Sequence, residues 1–253
     1  GLCEYPDNGD YALSFDGLGS SIVDISNINI SSTDSITFSI DFKLDDYIYQ
    51  SNHNHIFDFE GQNIRYSLVA YADLIEMRFE GYGISTVYIT EPLDSQWHNI
   101  IIQSTSNTMN IIFDGDLVVS ESWDNPNVQH GFTPGSYGSY LGGNDPNSTY
   151  GYFIKGSLDN FIISTDLLSF NDIQNLNFNN SLVAHYKFNS GSGNLLYDHS
   201  GNQNHGTVIN GTWIERLEGC TNIEACNFDE NANVDDGSCI YANDTYDCDG
   251  ICL

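Results

Sequence analysis

The chain has 253 residues, of which 40% are hydrophobic and 13% aromatic. This composition excludes an intrinsically disordered chain and suffices for an all-β sandwich with a small appendage. Six Lys and Arg residues against 35 Asp and Glu residues give a formal net charge of −29, which excludes nucleic acid and anionic membrane surfaces as partners. No apolar run approaches the ~20 residues that span a bilayer, so no membrane insertion is expected.

Short alternations of apolar and polar residues recur along the chain. The most regular one covers Ser35–Leu44, in which every second residue is Ile, Phe or Leu. A period of two predicts a strand with one face toward solvent. In chain order, the other segments predicted as strands are 11–15, 55–60, 64–71, 74–80, 86–90, 97–104, 109–113, 117–121, 139–142, 153–164, 182–188 and 207–214.

Turn residues separate these segments, and Asp114-Gly115 between two of them predicts a hairpin. Only 169–178 has a weak helical pattern, with Ser169 or Asn171 as its N-cap. Many short strands with almost no helix predict an all-β fold, a two-sheet antiparallel jelly-roll sandwich with a small disulfide-rich C-terminal appendage.

The composition changes near Gly219, where apolar alternation stops and Cys, Asn, Asp and Gly dominate. We therefore expect a sandwich over residues 10–218 and a cysteine-rich acidic tail over 219–253. Residues 1–9 are interpreted as a linker or as the end of a preceding cysteine-rich unit. Gly1-Leu2-Cys3-Glu4-Tyr5-Pro6 and Gly237-Ser238-Cys239-Ile240-Tyr241-Ala242 share the pattern G-x-C-x-Y, which either arises by chance or marks a tandem array.

The cysteines cluster at the C-terminal end, where five of the six fall after residue 219. They are Cys3, Cys220, Cys226, Cys239, Cys248 and Cys252. Clustered cysteines in a short Gly- and Asp-rich stretch predict a disulfide framework, an oxidising compartment and hence an extracellular protein. Zinc held by Cys220 and Cys226 is the alternative, disfavoured because no C-x2-C pair is present.

Several segments form a specific series along the chain, and they include 11–17, Trp97-His98-Asn99-Ile100, Gly156-Ser157-Leu158-Asp159-Asn160-Phe161 and 198–206. Together these segments resemble laminin-G-like (concanavalin A-like) jelly-roll domains. The resemblance covers roughly residues 10–217. The tail, with Gly219-Cys220-Thr221 and Asp235-Asp236-Gly237-Ser238-Cys239, is similar to a cysteine-rich repeat of secreted surface proteins.

Calcium is the expected cofactor, in a structural role. In the tail, Asp229, Asn231, Asn233 and Asp235 alternate as D-x-N-x-N-x-D, and alternate residues of a tight loop can direct oxygens at one ion. The loop is not an EF-hand, and an acidic loop without an ion is the alternative. For the sandwich, the resemblance implies a second ion near Asp16, Asp159, Asp198, Asn202 and Asn204. Turn stabilisation by Asp and Asn side chains is the alternative there.

Carbohydrate binding is the second functional hypothesis. Exposed aromatic rings bind sugar faces, and amide or carboxylate groups bind hydroxyls. The candidate residues cluster in one Gly- and Ser-rich stretch and are Tyr137, Tyr140, Asn144, Asp145, Tyr150 and Tyr152. A loop whose aromatic side chains cover the edge of the sandwich is the alternative.

No catalytic motif is present, so no enzymatic activity is expected. A glycosidase needs two carboxylates flanking the bond, and Asp58 with Glu60 is the nearest approach to such a pair. His53 and His55 are expected at the surface. N-x-S/T sequons for possible glycosylation occur at Asn29, Asn147, Asn179, Asn210 and Asn243.

These observations favour a non-enzymatic structural or adhesive module of a larger extracellular surface or fibre protein, stiffened by calcium and disulfides. Its expected partners are neighbouring modules or subunits of the same protein. A calcium-dependent lectin is the alternative, and a glycoside hydrolase is the least favoured hypothesis.

Overall fold

The computed structural model describes residues 5–17, 21–45, 54–60, 65–71, 74–80, 86–90, 94–122, 130–132, 138–146, 152–178 and 181–242. The first strands are β1 (Tyr11–Asp16), β2 (Ile22–Asp24), β3 (Ile30–Thr33), β4 (Ser35–Leu44), β5 (Asn54–Glu60), β6 (Arg65–Ala70), β7 (Ile75–Glu80), β8 (Thr86–Ile89), β9 (His98–Thr105) and β10 (Thr108–Phe113). They are followed by β11 (Asp116–Ser122), β12 (His130–Phe132), β13 (Ser139–Leu141), β14 (Lys155–Ser164), α1 (Phe170–Gln174), β15 (Leu182–Tyr186), β16 (Leu195–Leu196), β17 (Gly206–Ile209), β18 (Thr212–Glu215), β19 (Glu218–Gly219) and β20 (Val234–Asp235).

Two antiparallel sheets form the body of the molecule. The back sheet has the order β11-β10-β9-β4-β14-β1-β18, and β15 also pairs with β14. The front sheet has the order β16-β17-β2-β13-β5-β6-β7-β8. Neighbours in both sheets are frequently distant in sequence, as β4 and β14 are. The predicted all-β jelly-roll sandwich with a disulfide in its C-terminal part is confirmed.

Aromatic side chains from both sheets meet in the centre of the sandwich. The ring of Phe38 from β4 lies 5.3 Å from those of Phe57 and Phe59 of β5, centroid to centroid, and 5.2 Å from that of Tyr66 of β6. Phe161 of β14 stacks on Phe38 from the same sheet at 6.4 Å. Because side chains alternate along a strand, residues between these core positions point to the outer faces of the sheets.

The outer face of β4 is covered, so the predicted solvent-facing side of this strand is wrong. Thr37 and Ser39 are fully buried. Thr37 Oγ1 donates to the carbonyl of Asp166 at 2.7 Å and accepts from the amide of Leu168 at 3.1 Å. The connection to α1 packs on the back sheet there, through a small second core of Ile101, Ile162, Leu168 and Ile173.

Local boundaries differ from the sequence prediction in two informative places. Segment 207–214 forms two strands in different sheets, since β17 pairs with β2 and β18 pairs with β1. Asn210, at a φ of 52°, turns the chain between them. The helix is shorter than predicted, with Ser169 as N-cap in a capping box with Asp172. The predicted hairpin is confirmed, with Asp114 and Gly115 at φ 49° and 91° between β10 and β11.

The segment after β18 packs against the sandwich and is closed by the Cys220–Cys239 disulfide. Asn233 Oδ1 accepts from the amide of Leu217 at 3.0 Å, and Asn233 Nδ2 donates to the carbonyl of Glu215 at 2.7 Å. Cys226 is also disulfide-bonded, so the zinc alternative at Cys220 and Cys226 is wrong. Cys3, Cys248 and Cys252 lie outside the described residues. No helix within the described ranges has the length and apolar character needed to cross a membrane.

Candidate functional site

A row of polar side chains crosses the outer face of the front sheet. The strand registers place six residues side by side, one from each of six neighbouring strands. These residues, which we call the polar row, are Asp24, Tyr140, Asp58, Ser67, Arg78 and Thr86. At the usual strand spacing of 4.7–4.9 Å, the row is about 24 Å long. Its centre is recessed, since Asp58 and Ser67 are buried, whereas Tyr140 and Arg78 are partly accessible and Thr86 is exposed.

Asp58 lies at the centre of the row and accepts hydrogen bonds from two side chains. Arg65 donates from Nε to Asp58 Oδ1 and from Nη2 to Oδ2, each at 2.8 Å. Ser67 Oγ donates to Asp58 Oδ1 at 3.1 Å, and Ser67 Oγ also lies 3.1 Å from His55 Nδ1. Two bonds from one guanidinium fix the carboxylate in position.

A second acid–arginine group lies beside the first. Arg78 Nη2 donates to Glu76 Oε2 at 2.9 Å and to the Tyr71 hydroxyl oxygen at 2.6 Å. The Tyr71 hydroxyl in turn donates to Glu76 Oε2. Burial and the bond to Glu76 raise the pKa of Tyr71 to about 12, so this hydroxyl stays protonated and is a donor at neutral pH.

The predicted glycan-binding residues lie toward the end of the row that β2 and β13 form. Burial, followed by the charges of Asp24 and Asp145, raises the pKa of the Tyr140 hydroxyl. Asn144 Oδ1 accepts from the amide of Tyr152 at 3.0 Å. Tyr137 and Tyr150 lie outside the described residues.

The ring of Tyr152 stacks on that of His55, with centroids 5.4 Å apart and an interplanar angle of 8°. His55 is 1% exposed, so the expectation that it lies at the surface is wrong. The ring of Tyr152 covers it, and the register of β5 against β6 shifts between His55 and Phe57.

At its far end the row meets a groove between the two sheets. The groove measures about 490 Å³ and is lined by Thr86, Val87 and Tyr88 of β8 and by residues 118–121 of β11. Tyr88 is 59% exposed. An accessible aromatic ring next to a groove of this size suits a ligand as large as a few sugar rings.

Asp198 orders a loop of the sandwich. Its Oδ1 accepts from the amides of His185 and Ser200 at 2.9 Å each, and its Oδ2 accepts from Ser200 Oγ at 2.8 Å and the amide of Asn204 at 2.9 Å. These four donors saturate the four lone pairs of the carboxylate. Asn202 and Asn204 direct their amide nitrogens at the carbonyl of Val183. Asp198 in this arrangement therefore does not fit a calcium ligand.

Asp16 and Asp159 have other partners. Asp16 Oδ1 accepts from Ser21 Oγ at 2.8 Å. Asp159 lies on the outer face of the back sheet, directly opposite Asp41, and is ion-paired with Arg216. Among the described residues, no three His, Cys, Asp or Glu side chains form a group that could hold a metal.

The guanidinium of Arg216 also lies over the ring of Trp97, 4.5 Å from its centroid. Burial raises the pKa of Asp159 from 3.8 to about 7, although the charge of Arg216 opposes this shift. This cluster connects the sandwich to the start of the tail, since Arg216 directly follows β18.

The residues of the predicted calcium loop in the tail make contacts with different parts of the chain. Asp229 Oδ1 accepts from the amide of Asn231 at 2.9 Å, and Asp235 Oδ1 accepts from the amide of Gly237 at 3.2 Å. Both carboxylates are exposed. Asn233 faces the sandwich instead, as described above. Asp229, Asn231 and Asp235 have side-chain oxygens of the kind that calcium prefers, whereas Asn233 bonds to the chain at Glu215 and Leu217.

Comparison with known proteins gives the fold. No family model matches the sequence, and no curated protein matches it. A protein from Bacteroides ovatus ATCC 8483, assigned a candidate role in carbohydrate binding, has a similar structure with a TM-score of 0.63 and 17% sequence identity. The fold is a jelly-roll sandwich. The match covers 84% of this chain, which spans 61% of the length of that one.

Two further solved structures are more distantly similar. Domains LG4–5 of the mouse laminin α1 chain match over 64% of this chain and 45% of that one, with 15% identity and a TM-score of 0.45. The CBM40 of Ruminococcus gnavus IT-sialidase, bound to α2,3 sialyllactose, matches over 65% of this chain and 95% of that one, with 13% identity and a TM-score of 0.47.

The arginines of the site were not predicted from the sequence. Arg65, Ser67, Glu76 and Arg78 occupy alternate, outward positions of β6 and β7, and this spacing was the available signal. Of the sequons, Asn29 and Asn210 are exposed. Asn29 lines a polar groove of about 520 Å³ together with Asn202 and Asn204. Asn147, Asn179 and Asn243 lie outside the described residues.

Proposed function

We propose that this chain is a non-catalytic carbohydrate-binding module of a larger extracellular protein, of the laminin-G-like type. The observation that carries the proposal is the polar row. It aligns polar side chains from six strands of the front sheet, of which those of β2, β13, β7 and β8 are accessible, with Tyr140 near one end and Tyr88 near the other. A glycan is recognised by this combination of aromatic rings and fixed polar groups.

The recessed acids support binding. Asp58 and Glu76 are both largely buried and each is bonded to an arginine. The accessible parts of Arg65 and Arg78 are therefore held in place by buried carboxylates. A preorganised surface loses little conformational entropy when a ligand binds.

The charge of the face favours an uncharged ligand. Of the six basic residues in the chain, Arg65 and Arg78 lie on this face, and each is ion-paired with an acid. Asp24 and Asp145 add negative charge beside Tyr140. We infer that neutral glycans bind here in preference to sulfated or uronic ones, which the net charge of −29 repels.

Binding experiments with two tyrosine variants test this proposal. Isothermal titration with neutral oligosaccharides selected on a glycan array should give a Kd that rises at least tenfold in Tyr140→Ala and in Tyr88→Ala. Ile223→Ala, at a position 79% exposed in the tail, is the matched control and should leave the Kd unchanged. Equal affinity in all four proteins would contradict the location of the site, and an array without neutral hits would contradict the function.

We also propose that calcium stiffens the tail. Asp229 and Asp235 would hold the ion together with Asn231, and calcium would supply charge neutralisation between the two exposed carboxylates. Thermal unfolding with EDTA and with calcium restored tests this. A calcium-dependent rise in Tm that is lost in Asp229→Asn supports the site. A Tm that does not respond to calcium, with the wild-type chain folded, would exclude it.

A further inference from the structure

Two accessible tyrosines of the front sheet lie far apart. Tyr140 belongs to β13 and Tyr88 to β8, and β5, β6 and β7 separate these two strands. Four strand spacings of 4.7–4.9 Å place the two strands about 19 Å apart. Tyr140 is partly accessible, and Tyr88 is 59% exposed. A single sugar ring cannot reach both tyrosines, so a ligand that contacts both must be a chain of several rings.

The face between the tyrosines carries two arginines at fixed positions. The side chains of Arg65 and Arg78 are 28% and 24% exposed, whereas the carboxylates of Asp58 and Glu76 to which they bond are 5% and 7% exposed. Each guanidinium therefore covers an acid and has an accessible edge. Because a guanidinium is purely a donor, this edge suits the hydroxyl oxygens of a sugar. A chain that bridges the tyrosines would pass over these donors.

Both ends of the polar row are accessible. At one end, Thr207 of β17 pairs with Asp24 and is exposed. At the other end, Thr86 is exposed and lines the groove of about 490 Å³ between the two sheets. A site for a chain terminus would be closed at one end. Among the residues that the structure describes, the row instead has an exposed strand position at each end, so a chain can extend beyond it in both directions.

We propose that the polar row holds an internal stretch of a linear neutral polysaccharide, which lies across the strands from β13 to β8. This inference rests on the proposed function and adds the form of the ligand to it. The site recognises the middle of a chain, and a terminal sugar is not required. Tyr140 and Tyr88 are two separate platforms for sugar rings, and the arginines between them bind hydroxyl groups.

Two separate platforms give the affinity a dependence on chain length. A short saccharide contacts one tyrosine at a time and binds weakly. In a long chain, binding at one platform holds the next rings close to the other, and the second contact becomes intramolecular. The affinity should therefore rise by about tenfold or more once the chain bridges the two tyrosines. Additional rings beyond this length contact neither platform and should add little.

Isothermal titration with neutral oligosaccharides of one linkage and increasing length tests the proposal. The expected Kd falls at least tenfold at the bridging length and then stays constant. Methylation of both terminal sugars of the longest member should leave its Kd unchanged. A Kd that is independent of length, or binding that is lost on terminal methylation, would overturn the proposal and leave carbohydrate binding intact. The absence of binding by every member would contradict the proposed function itself.

Variants of the two tyrosines show whether both platforms are used. In the wild type we expect two short saccharides or one long chain to bind, and in Tyr140→Ala or Tyr88→Ala one short saccharide. Each variant should lose the gain in affinity with chain length. Tyr241→Ala, at a tyrosine 49% exposed in the tail, is the matched control and should keep this gain. A gain that persists in both front-sheet variants would contradict the bridging. Loss of all binding in Tyr140→Ala with no change in Tyr88→Ala would show a single platform instead.

Discussion

Asp58 and Arg65 form a two-bond ion pair diagonally across β5 and β6. The register pairs Asp58 with Ser67 and Arg65 with Glu60, yet the guanidinium reaches both oxygens of Asp58 at 2.8 Å. A diagonal contact of this kind uses the length of the arginine side chain. It places Ser67, Asp58 and Arg65 in one network at the middle of the front sheet.

Removing the guanidinium should therefore destabilise the protein. Arg65→Met leaves the buried carboxylate of Asp58 without its charged partner, and we expect a loss of about 2–3 kcal/mol in the free energy of unfolding. Asp58→Asn in the same chain removes the uncompensated charge and should restore part of this loss. Urea unfolding measures both. A double variant as unstable as the sum of the two single variants would contradict the pairing.

The raised pKa of Asp159 predicts a pH dependence of stability. Its pKa is 3.8 in the unfolded chain and about 7 in the folded one. The folded state therefore binds the proton more tightly, and the stabilisation is full below pH 3.8 and lost as the pH rises through 7. We expect the free energy of unfolding of the wild type to fall by about 2 kcal/mol between pH 5 and pH 8, and that of Asp159→Asn not to show this fall. The same dependence of the free energy of unfolding on pH in the wild type and the variant would contradict this.

His185 acts in the opposite direction over an overlapping range. Burial, followed by the charges of Lys187 and His199, lowers its pKa from 6.5 to about 4. The unfolded chain binds this proton more tightly, so stability falls as the pH drops from 6.5 toward 4. In urea unfolding, the free energy of unfolding of His185→Gln should fall less between pH 6.5 and pH 4 than that of the wild type. Because the effects of Asp159 and His185 oppose each other, only the difference between variant and wild type is informative. An equal pH dependence below pH 6.5 in both proteins would refute the assignment.

A substitution at Thr37 tests whether the outer face of β4 is covered. Thr37→Val keeps the shape of the side chain but removes its two hydrogen bonds to the connection before α1, and we expect a loss of about 1–3 kcal/mol. Thr207→Val, at an exposed position of β17, is the matched control and should stay within about 0.5 kcal/mol. Equal effects at the two positions would show that the outer face of β4 is exposed to solvent.

Thr37 also illustrates what sequence patterns can and cannot show. The alternation in Ser35–Leu44 predicted the strand and its core side, because period two is a local property. It did not predict that Thr37 is buried, since a segment more than 120 residues away in sequence covers it. Polar residues on a covered face have the same pattern as polar residues in water.

The candidate site likewise contains residues that the sequence predicted and residues that it did not. Tyr140, Asn144 and Tyr152 were found from composition within one stretch of sequence. Arg65 and Arg78 were not, because their importance depends on register with Asp58 and Ser67 across strands. In the same way, Asp198 had the residue type of a metal ligand, and only the three-dimensional contacts show that its oxygens accept four hydrogen bonds.

One titration tests most directly whether the polar row binds neutral glycans. The chemical shifts of the front sheet are followed by NMR while a neutral oligosaccharide and its sulfated counterpart are added separately. We predict saturable shifts along β5, β6, β7 and β13 with the neutral ligand, and no shifts there with the sulfated one. Shifts confined to the back sheet or the tail, or preference for the sulfated ligand, would contradict the account.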